Sequence, residues 1–181
     1  PRGVSITAGS LPITSSLHGA SPMSIDKYHL NLGSEYRVAS ELLFRGLFAT
    51  VTYGNKKGAD LYVIGNNRQA AVVEVKASQK NRFVTGLFQK YRRPEDPHPD
   101  FWVLHHVGLK AGDWSHRFFV LSHAEIVPVQ MATNAPGLDL SYEEVALRSA
   151  KGVDNVSLKS VEVFENAWGK ILDHCGGPVL G

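Results

Sequence analysis

The chain has little of three things that would narrow its function at once: cysteine, long apolar runs, and an excess of charge of one sign. Its single cysteine, Cys175, excludes an internal disulfide and a metal centre built on several thiolates. This cysteine usage is typical of a reducing compartment, so we expect a cytoplasmic protein. No run of eighteen apolar residues occurs, so no membrane-spanning helix is expected. The net charge is only +2, so binding to a polyanion would depend on local basic patches.

The length of 181 residues predicts one domain with a sizeable core. Residues 1–22 are rich in Ser, Gly and Thr, and their start, Pro1-Arg2-Gly3, resembles the linker left behind by an affinity tag. The segment has no apolar core long enough for a secretory signal. We therefore expect residues 1–22 to lie outside the fold and residues 23–181 to form a single domain.

The order of the predicted elements favours an α/β fold. Apolar spacing typical of a helix runs from Leu30 to Gly46, with Ser34 or Asn31 as its cap. Ser122 and Glu125 have the spacing of a capping box at the start of another helix. Strands are predicted over residues 47–53, 60–64, 70–76, 101–107 and 117–121, a connection over 108–115, a basic and partly helical segment over 77–91, and a final amphipathic helix over 161–172. A mixed sheet flanked by helices follows from this order.

Charged residues enter two strands that are otherwise apolar enough to be central. Asp60 opens one of them, and Glu74 and Lys76 close the next. An ionised side chain taken out of water costs several kcal/mol unless it is paired or bound to a metal. Glu74 and Lys76 are two residues apart and project from the same face. We predict that the connection between the strands is odd in length or bulged, because only then does Asp60 oppose Glu74 rather than Val73.

The pattern of Asp60, a turn, and Glu74-Val75-Lys76 on the next strand resembles the PD-(D/E)xK nuclease superfamily, which includes restriction endonucleases and Holliday-junction resolvases. The resemblance spans roughly residues 30–125. It implies a restriction-endonuclease-like fold, a mixed β-sheet flanked by helices with an αβββαβ core. Ala59 stands where the superfamily's name has proline, a departure that many members share.

The resemblance also implies a magnesium or manganese site and the hydrolysis of DNA phosphodiester bonds. Asp60 and Glu74 would hold Mg²⁺ (or Mn²⁺), and Lys76 would serve the attacking water. Glu35, near the start of the first helix, would complete the metal shell, with Glu41 as the alternative. The backbone carbonyl of Val75 is a further candidate ligand, since magnesium prefers oxygen ligands in octahedral geometry.

A basic segment follows the second of these strands and is predicted to contact the phosphate backbone of DNA. Gln79 is a candidate for a contact with substrate or water, and Gln89 is its alternative. Tyr91 and Trp102 are candidates for stacking on bases, although both are more typical of a core. The predicted nucleic-acid-binding residues are Lys56, Lys57, Gln79, Lys80, Arg82, Lys90, Arg92 and Arg93. The simpler alternative is that these residues form a solvated surface.

Other interpretations stay open. A non-catalytic module with the nuclease fold, binding nucleic acid or a protein partner in a defence or toxin-linked system, predicts no metal affinity at the acidic pair. Glu74 and Lys76 also fit the solvated face of an edge strand, with Asp60 as a turn residue. DNA is the expected partner, and a homodimer is compatible with cleavage of both strands.

A zinc site is conceivable among histidines that lie close together in the sequence. We expect ordinary hydrogen-bonded histidines instead, because neighbours in a regular strand point to opposite faces. The histidines concerned are His105, His106, His116 and His123.

Overall fold

A five-stranded mixed sheet with helices on both faces forms the centre of the fold, which confirms the predicted α/β class. The computed structural model describes residues 25–52, 59–110, 112–150, 152 and 154–177. The predicted linker over 1–22 and two predicted DNA contacts, Lys56 and Lys57, lie outside these ranges. None of the helices within them combines the length and the apolar character needed to cross a bilayer.

The described residues form seven strands and six α-helices. The strands are β1 Phe48–Val51, β2 Leu61–Ile64, β3 Ala70–Ser78, β4 Arg82–Val84, β5 Phe101–Lys110, β6 Asp113–Ser122 and β7 Asn155–Ser157. The helices are α1 Lys27–Phe44, α2 Leu87–Lys90, α3 His123–Asn134, α4 Tyr142–Ser149, α5 Leu158–Val161 and α6 Gly169–Cys175, with a 3₁₀ turn over Glu162–Phe164. The main sheet has the order β1-β2-β3-β5-β6, and β3 and β5 are its one parallel pair among these strands. A separate antiparallel pair joins β4 and β7.

Alternate residues of β5 and β6 contribute to two cores, one on each face of the sheet, whereas the apolar core residues of β3 all belong to one of them. Val73, Val103 and Val120 point toward α1 and α6, where they meet Leu42 and Ile171. The other face carries a second apolar cluster under α2, α3 and α4, which includes Trp102, Leu104, Phe119, Ile126 and Val145. Glu74 projects from the other face of β3 than Val73, and it is nevertheless removed from water, with 0% exposure.

Helix α1 begins earlier than its apolar spacing indicates, so the predicted caps are wrong. The Oδ1 atom of Asp26 accepts hydrogen bonds from the backbone N–H groups of Tyr28 at 3.0 Å and His29 at 3.2 Å. Asp26 therefore fills the cap position, and Ser34 is a buried residue in the body of the helix. Gly46, at φ +81°, follows the helix as predicted, since a left-handed backbone suits glycine.

The connection between β2 and β3 has the odd length that the acidic pair requires. Ile64 pairs with Ala70, so residues 65–69 form the loop, and Leu61 pairs with Val73. Continued by one residue, this register sets Asp60 opposite Glu74. The prediction of an odd-length loop is confirmed.

Three predicted segments differ from the structure. Residues 108–115 are mostly strand, because β5 and β6 form one long hairpin in which Gly108 pairs with Ser115. The predicted helix over 161–172 is divided among α5, the 3₁₀ turn and α6, and Asn166 at φ +55° interrupts it. The basic segment over 77–91 contains a strand, β4, as well as the single helical turn α2. The capping box at the start of α3 is confirmed, since Ser122 N donates to Glu125 Oε2 at 2.8 Å.

Candidate active site

Asp60 is held against β3 by two hydrogen bonds. Its backbone N–H donates to the carbonyl of Val73 at 3.0 Å, and its Oδ2 accepts from the N–H of Val75 at 2.7 Å. Both bonds bracket Glu74, so the two carboxylates lie side by side at the end of β2. The half-buried Asp60 side chain thus has a fixed position rather than the freedom of a turn residue.

Glu74 is the most buried charged residue of the site, with a relative exposure of 0%. Its Oε1 accepts hydrogen bonds from the ammonium groups of both Lys76 and Lys90. Its Oε2 is buried and has no hydrogen-bond partner among the described residues. A buried carboxylate oxygen without a donor is costly, which marks Oε2 as an atom that a ligand can satisfy.

Lys90 is the part of this arrangement that the sequence did not predict. It was expected on a DNA-contacting track, yet α2 carries it back over the sheet to Glu74, sixteen residues earlier in the chain. No spacing rule connects a residue in a strand with one in a short helix beyond a loop. Only the packing of α2 on the sheet brings the two together.

The pKa values of Asp60 and Glu74 are shifted in opposite directions by their surroundings. Burial would raise the pKa of Glu74, but the charges and hydrogen bonds of Lys76 and Lys90 hold it below its ordinary value. Burial and the neighbouring charge of Glu74 raise the pKa of Asp60, against the opposing effect of Lys76. Glu74 is therefore the firmly ionised member, and Asp60 is the one whose charge an added cation would stabilise more.

Glu35 lies within electrostatic reach of the pair. Burial, followed by the charge of Asp60, raises its pKa to about 7, although Lys76 opposes this shift. The alternative, Glu41, is instead bound on the surface of α1 by Arg37 at 3.0 Å and Arg45 at 2.6 Å. Of the two glutamates, Glu35 is therefore the one associated with the acidic pair.

Tyr91 follows Lys90 and is buried beside the site. Its hydroxyl has no hydrogen-bond partner among the described residues, and burial together with the charges of Glu74 and Asp60 raises its pKa. Its ring packs edge-on against Trp102 at 6.1 Å. Tyr91 is 5% exposed and Trp102 is 0% exposed. Both belong to the core, as their residue types favoured, and neither is available to stack on bases.

The oxygen donors of the site suit a hard divalent cation, but they are not preassembled around one. Among the residues that the structure describes, no three His, Cys, Asp or Glu side chains form a ready metal-binding group. Asp60 and Glu74 supply carboxylate oxygens on one face, and Glu74 Oε2 is unpartnered. The predicted carbonyl ligand, Val75, lies between Glu74 and Lys76, with its N–H donated to Asp60. These residues fit Mg²⁺ or Mn²⁺ provided that water or substrate completes the coordination.

The predicted DNA contacts do not form one continuous row. Gln79 accepts from Ile25 N at 3.1 Å, so it ties down the start of α1. Arg93 pairs with Asp96 at 3.2 Å, while Lys80 and Arg92 are exposed. Arg82 lies on β4, away from the main sheet.

Three of the four histidines, His105, His116 and His123, are hydrogen-bonded, as expected. His105 Nδ1 lies 2.8 Å from Ser34 Oγ, and its Nε2 lies 2.9 Å from His116 Nδ1. Trp102 Nε1 donates to His123 Nδ1 at 3.2 Å. His106 falls on the opposite face of β5 from His105.

The chain is similar in fold to a solved structure, although no family model matches it. The chain matches no protein-family model, and comparison with curated proteins gives no match. The solved structure of a bacterial homing endonuclease, I-Ssp6803I, is similar with a TM-score of 0.48 and 13% sequence identity, over 82% of this chain and 93% of that one. At this level, the likeness carries no information about activity.

Proposed function

We propose that this protein is a metal-dependent nuclease that hydrolyses phosphodiester bonds of DNA, with Asp60 and Glu74 as ligands of Mg²⁺ or Mn²⁺. The observation that carries the proposal is the unpartnered Oε2 of a fully buried glutamate, placed beside a second carboxylate and next to a lysine. A purely structural ion pair has no need to leave that oxygen unsatisfied. The same three residues are those that match the PD-(D/E)xK pattern.

Each residue has a role that its surroundings support. When bound, the cation would neutralise developing charge on the phosphate and lower the pKa of a water ligand. Lys76, held on Glu74 Oε1, would orient the attacking water or stabilise negative charge in the transition state. Lys90 offers a second positive charge at the same oxygen. Glu35, with a pKa of about 7, is suited to exchange a proton near neutral pH or to extend the metal shell.

The decisive substitution is Asp60→Asn, which keeps the size of the side chain and its hydrogen bond from Val75. We expect it to reduce Mg²⁺-dependent cleavage of DNA at least a hundredfold, a loss in the range that key electrostatic groups produce. Asp100→Asn is the matched control, because Asp100 Oδ2 accepts from Val72 N at the same 2.7 Å on the other side of β3. Loss of activity in both variants, or in neither, contradicts the proposal.

A second candidate is a non-catalytic nucleic-acid-binding module. The observation that favours it is the pairing of Glu74 with two lysines, which balances the buried charge without a metal. Calorimetric titration of Mn²⁺ separates the two candidates. Heat that disappears in the Asp60→Asn, Glu74→Gln double variant supports the nuclease, whereas no heat with the wild type in the presence of uncleaved DNA supports the binding module.

A further inference from the structure

A polar cavity is lined by residues outside the elements that carry Asp60, Glu74, Lys76 and Lys90. It has a volume of about 500 Å³ and lies between β4, β7 and the C-terminal ends of α3 and α4. Residues 126–160, which supply most of its walls, carry no functional signal in the sequence. Its chemistry comes from Arg82, Asn134, Arg148, Ser149 and Asp154. We call this the arginine pocket.

The two arginines of the pocket are exposed and have no carboxylate partner among the described residues. Every Asp and Glu of the chain lies within the described ranges. Other arginines are paired in this structure, and the pairs are Arg37 and Arg45 with Glu41, Arg93 with Asp96, and Arg117 with Glu165. Arg82 and Arg148 come from distant parts of the chain, yet they line one cavity with their charges uncompensated.

The floor of the pocket is a buried hydrogen-bond network that fixes its shape. Asp154 is 1% exposed, and its two oxygens accept from Asn134 Nδ2 at 2.8 Å and Gln89 N at 3.1 Å. Asn134 also donates to Ser149 Oγ at 2.6 Å, and its Oδ1 accepts from Gln130 Nε2 at 2.8 Å. The carboxylate of Asp154 is thus hydrogen-bonded within the floor of the pocket. The guanidinium groups of Arg82 and Arg148 give the lining a net positive charge.

Helix α2 connects the pocket to the acidic site. Gln89 binds the floor through its backbone N–H and donates from its side chain to the carbonyl of Gly152 at 2.7 Å. Lys90, the next residue, contacts Glu74. Adjacent residues of one helical turn therefore contact the floor of the pocket and the acidic site.

We infer that the arginine pocket binds phosphate groups of the DNA backbone, on a stretch of the substrate away from the bond that is cut. The inference rests on the proposed function for the identity of the substrate. Guanidinium groups present donors in a fixed fork that matches phosphate oxygens, and unpaired arginines bind without breaking an existing ion pair. The hydroxyl of Ser149, an acceptor toward Asn134, retains its own proton to donate to a phosphate oxygen.

Binding of a labelled DNA duplex in EDTA, followed by fluorescence anisotropy, tests the pocket without requiring cleavage. The variant is Arg82→Gln, Arg148→Gln, and the control is Arg68→Gln, which removes an exposed, unpaired arginine from the β2–β3 loop. Each phosphate contact contributes about eightfold to affinity between 1 M and 0.1 M salt, so the double variant should bind about 60-fold more weakly at 0.1 M. The slope of log K against log salt should fall by about 2, and the control should change both quantities much less.

The outcomes separate the pocket from the nuclease proposal. If the double variant binds DNA like the control, the pocket proposal is wrong, whether or not the wild type cleaves DNA. If it loses affinity and salt dependence while the wild type shows no metal-dependent cleavage, the pocket stands and the nuclease proposal fails. In the third outcome, the pocket is a site for a free anion. Inorganic phosphate then binds the wild type at millimolar concentration, while the affinity for DNA does not depend on the two arginines. This result overturns the assignment to DNA.

Discussion

Removing both lysines from Glu74 is the perturbation that most directly tests how the site is held together. Glu74 is buried, and Lys76 and Lys90 both donate to its Oε1. The Lys76→Met or Lys90→Met single variant leaves one ammonium group in place. The Lys76→Met, Lys90→Met double variant leaves a buried carboxylate beside Asp60 with no cation.

The expected loss of stability follows from the number of ammonium groups that remain on Glu74. A single variant loses one charged hydrogen bond of two, which costs about 1 to 2 kcal/mol. Stranding a buried charge costs about 3 to 5 kcal/mol. The lysine side chains are 20% and 31% exposed, so solvent screens part of the effect and the lower end, about 3 kcal/mol or somewhat more, applies. The double variant should therefore lose clearly more free energy of unfolding than either single variant.

The pH dependence of the loss has a defined sign. In the wild type, the pKa of Glu74 is lowered in the folded state, so this group contributes stability above the ordinary 4.5, and the contribution is lost as pH falls through the folded pKa. In the double variant, burial and Asp60 would raise the folded pKa above 4.5. Stability then decreases as pH rises, and the deficit relative to wild type should be larger at pH 8 than at pH 5.

Urea unfolding at pH 5 and pH 8 measures these quantities. The Glu74→Gln, Lys76→Met, Lys90→Met variant should recover stability and lose the pH-dependent deficit, because no charge is left to bury. Lys110→Met, at the exposed end of β5, is the control for removing a surface lysine. A double-variant loss no larger than that of a single variant, or a deficit that does not depend on pH, would refute the reasoning.

Two further predictions concern titration. Glu35→Gln should flatten the pH dependence of stability, because the pKa of Glu35 in the folded protein is raised from 4.5 to about 7. Between pH 5 and pH 8 the wild type should lose about 1 kcal/mol more free energy of unfolding than the variant, after allowance for solvent screening of this half-buried group. Equal slopes in urea titrations of the two proteins would contradict this. His105→Gln should act at acid pH, because burial and, to a smaller extent, the charge of His116 lower the pKa of His105 to about 3. As pH falls from 6.5 to 4.5, the wild type should lose about 2 kcal/mol more free energy of unfolding than the variant. Acid titration followed by circular dichroism measures this difference, and a variant as acid-sensitive as the wild type would contradict it.

Local chemistry accounts for the parts of the fold that were predicted well. The length of the nearly continuous apolar runs placed β2 and β3, and runs of strand-forming residues placed β5 and β6, because such runs are typical of buried strands. The loop over 65–69 determined the register that sets Asp60 opposite Glu74. The capping box at Ser122 follows from a spacing of three residues within one helical turn.

The errors occurred where distant segments decide the outcome. The spacing over 161–172 is helical, but Asn166 N donates to the carbonyl of Phe118 at 2.8 Å, and Glu165 makes a bridge to Phe119. Contacts with β6 thus break a helix that local propensity favours. The strand β4 exists because β7, more than seventy residues later, supplies its partner.

The sequence by itself determined the class of fold and the shared face of Glu74 and Lys76, because these depend on short-range periodicity. The position of Asp60 opposite Glu74 was a prediction that the length of one loop in the structure decided. Only the tertiary structure decided that Lys90 joins Glu74, and that Arg82 and Arg148 line one pocket. Those meetings depend on how helices pack on the sheet, which is a property of buried apolar surfaces and not of spacing along the chain.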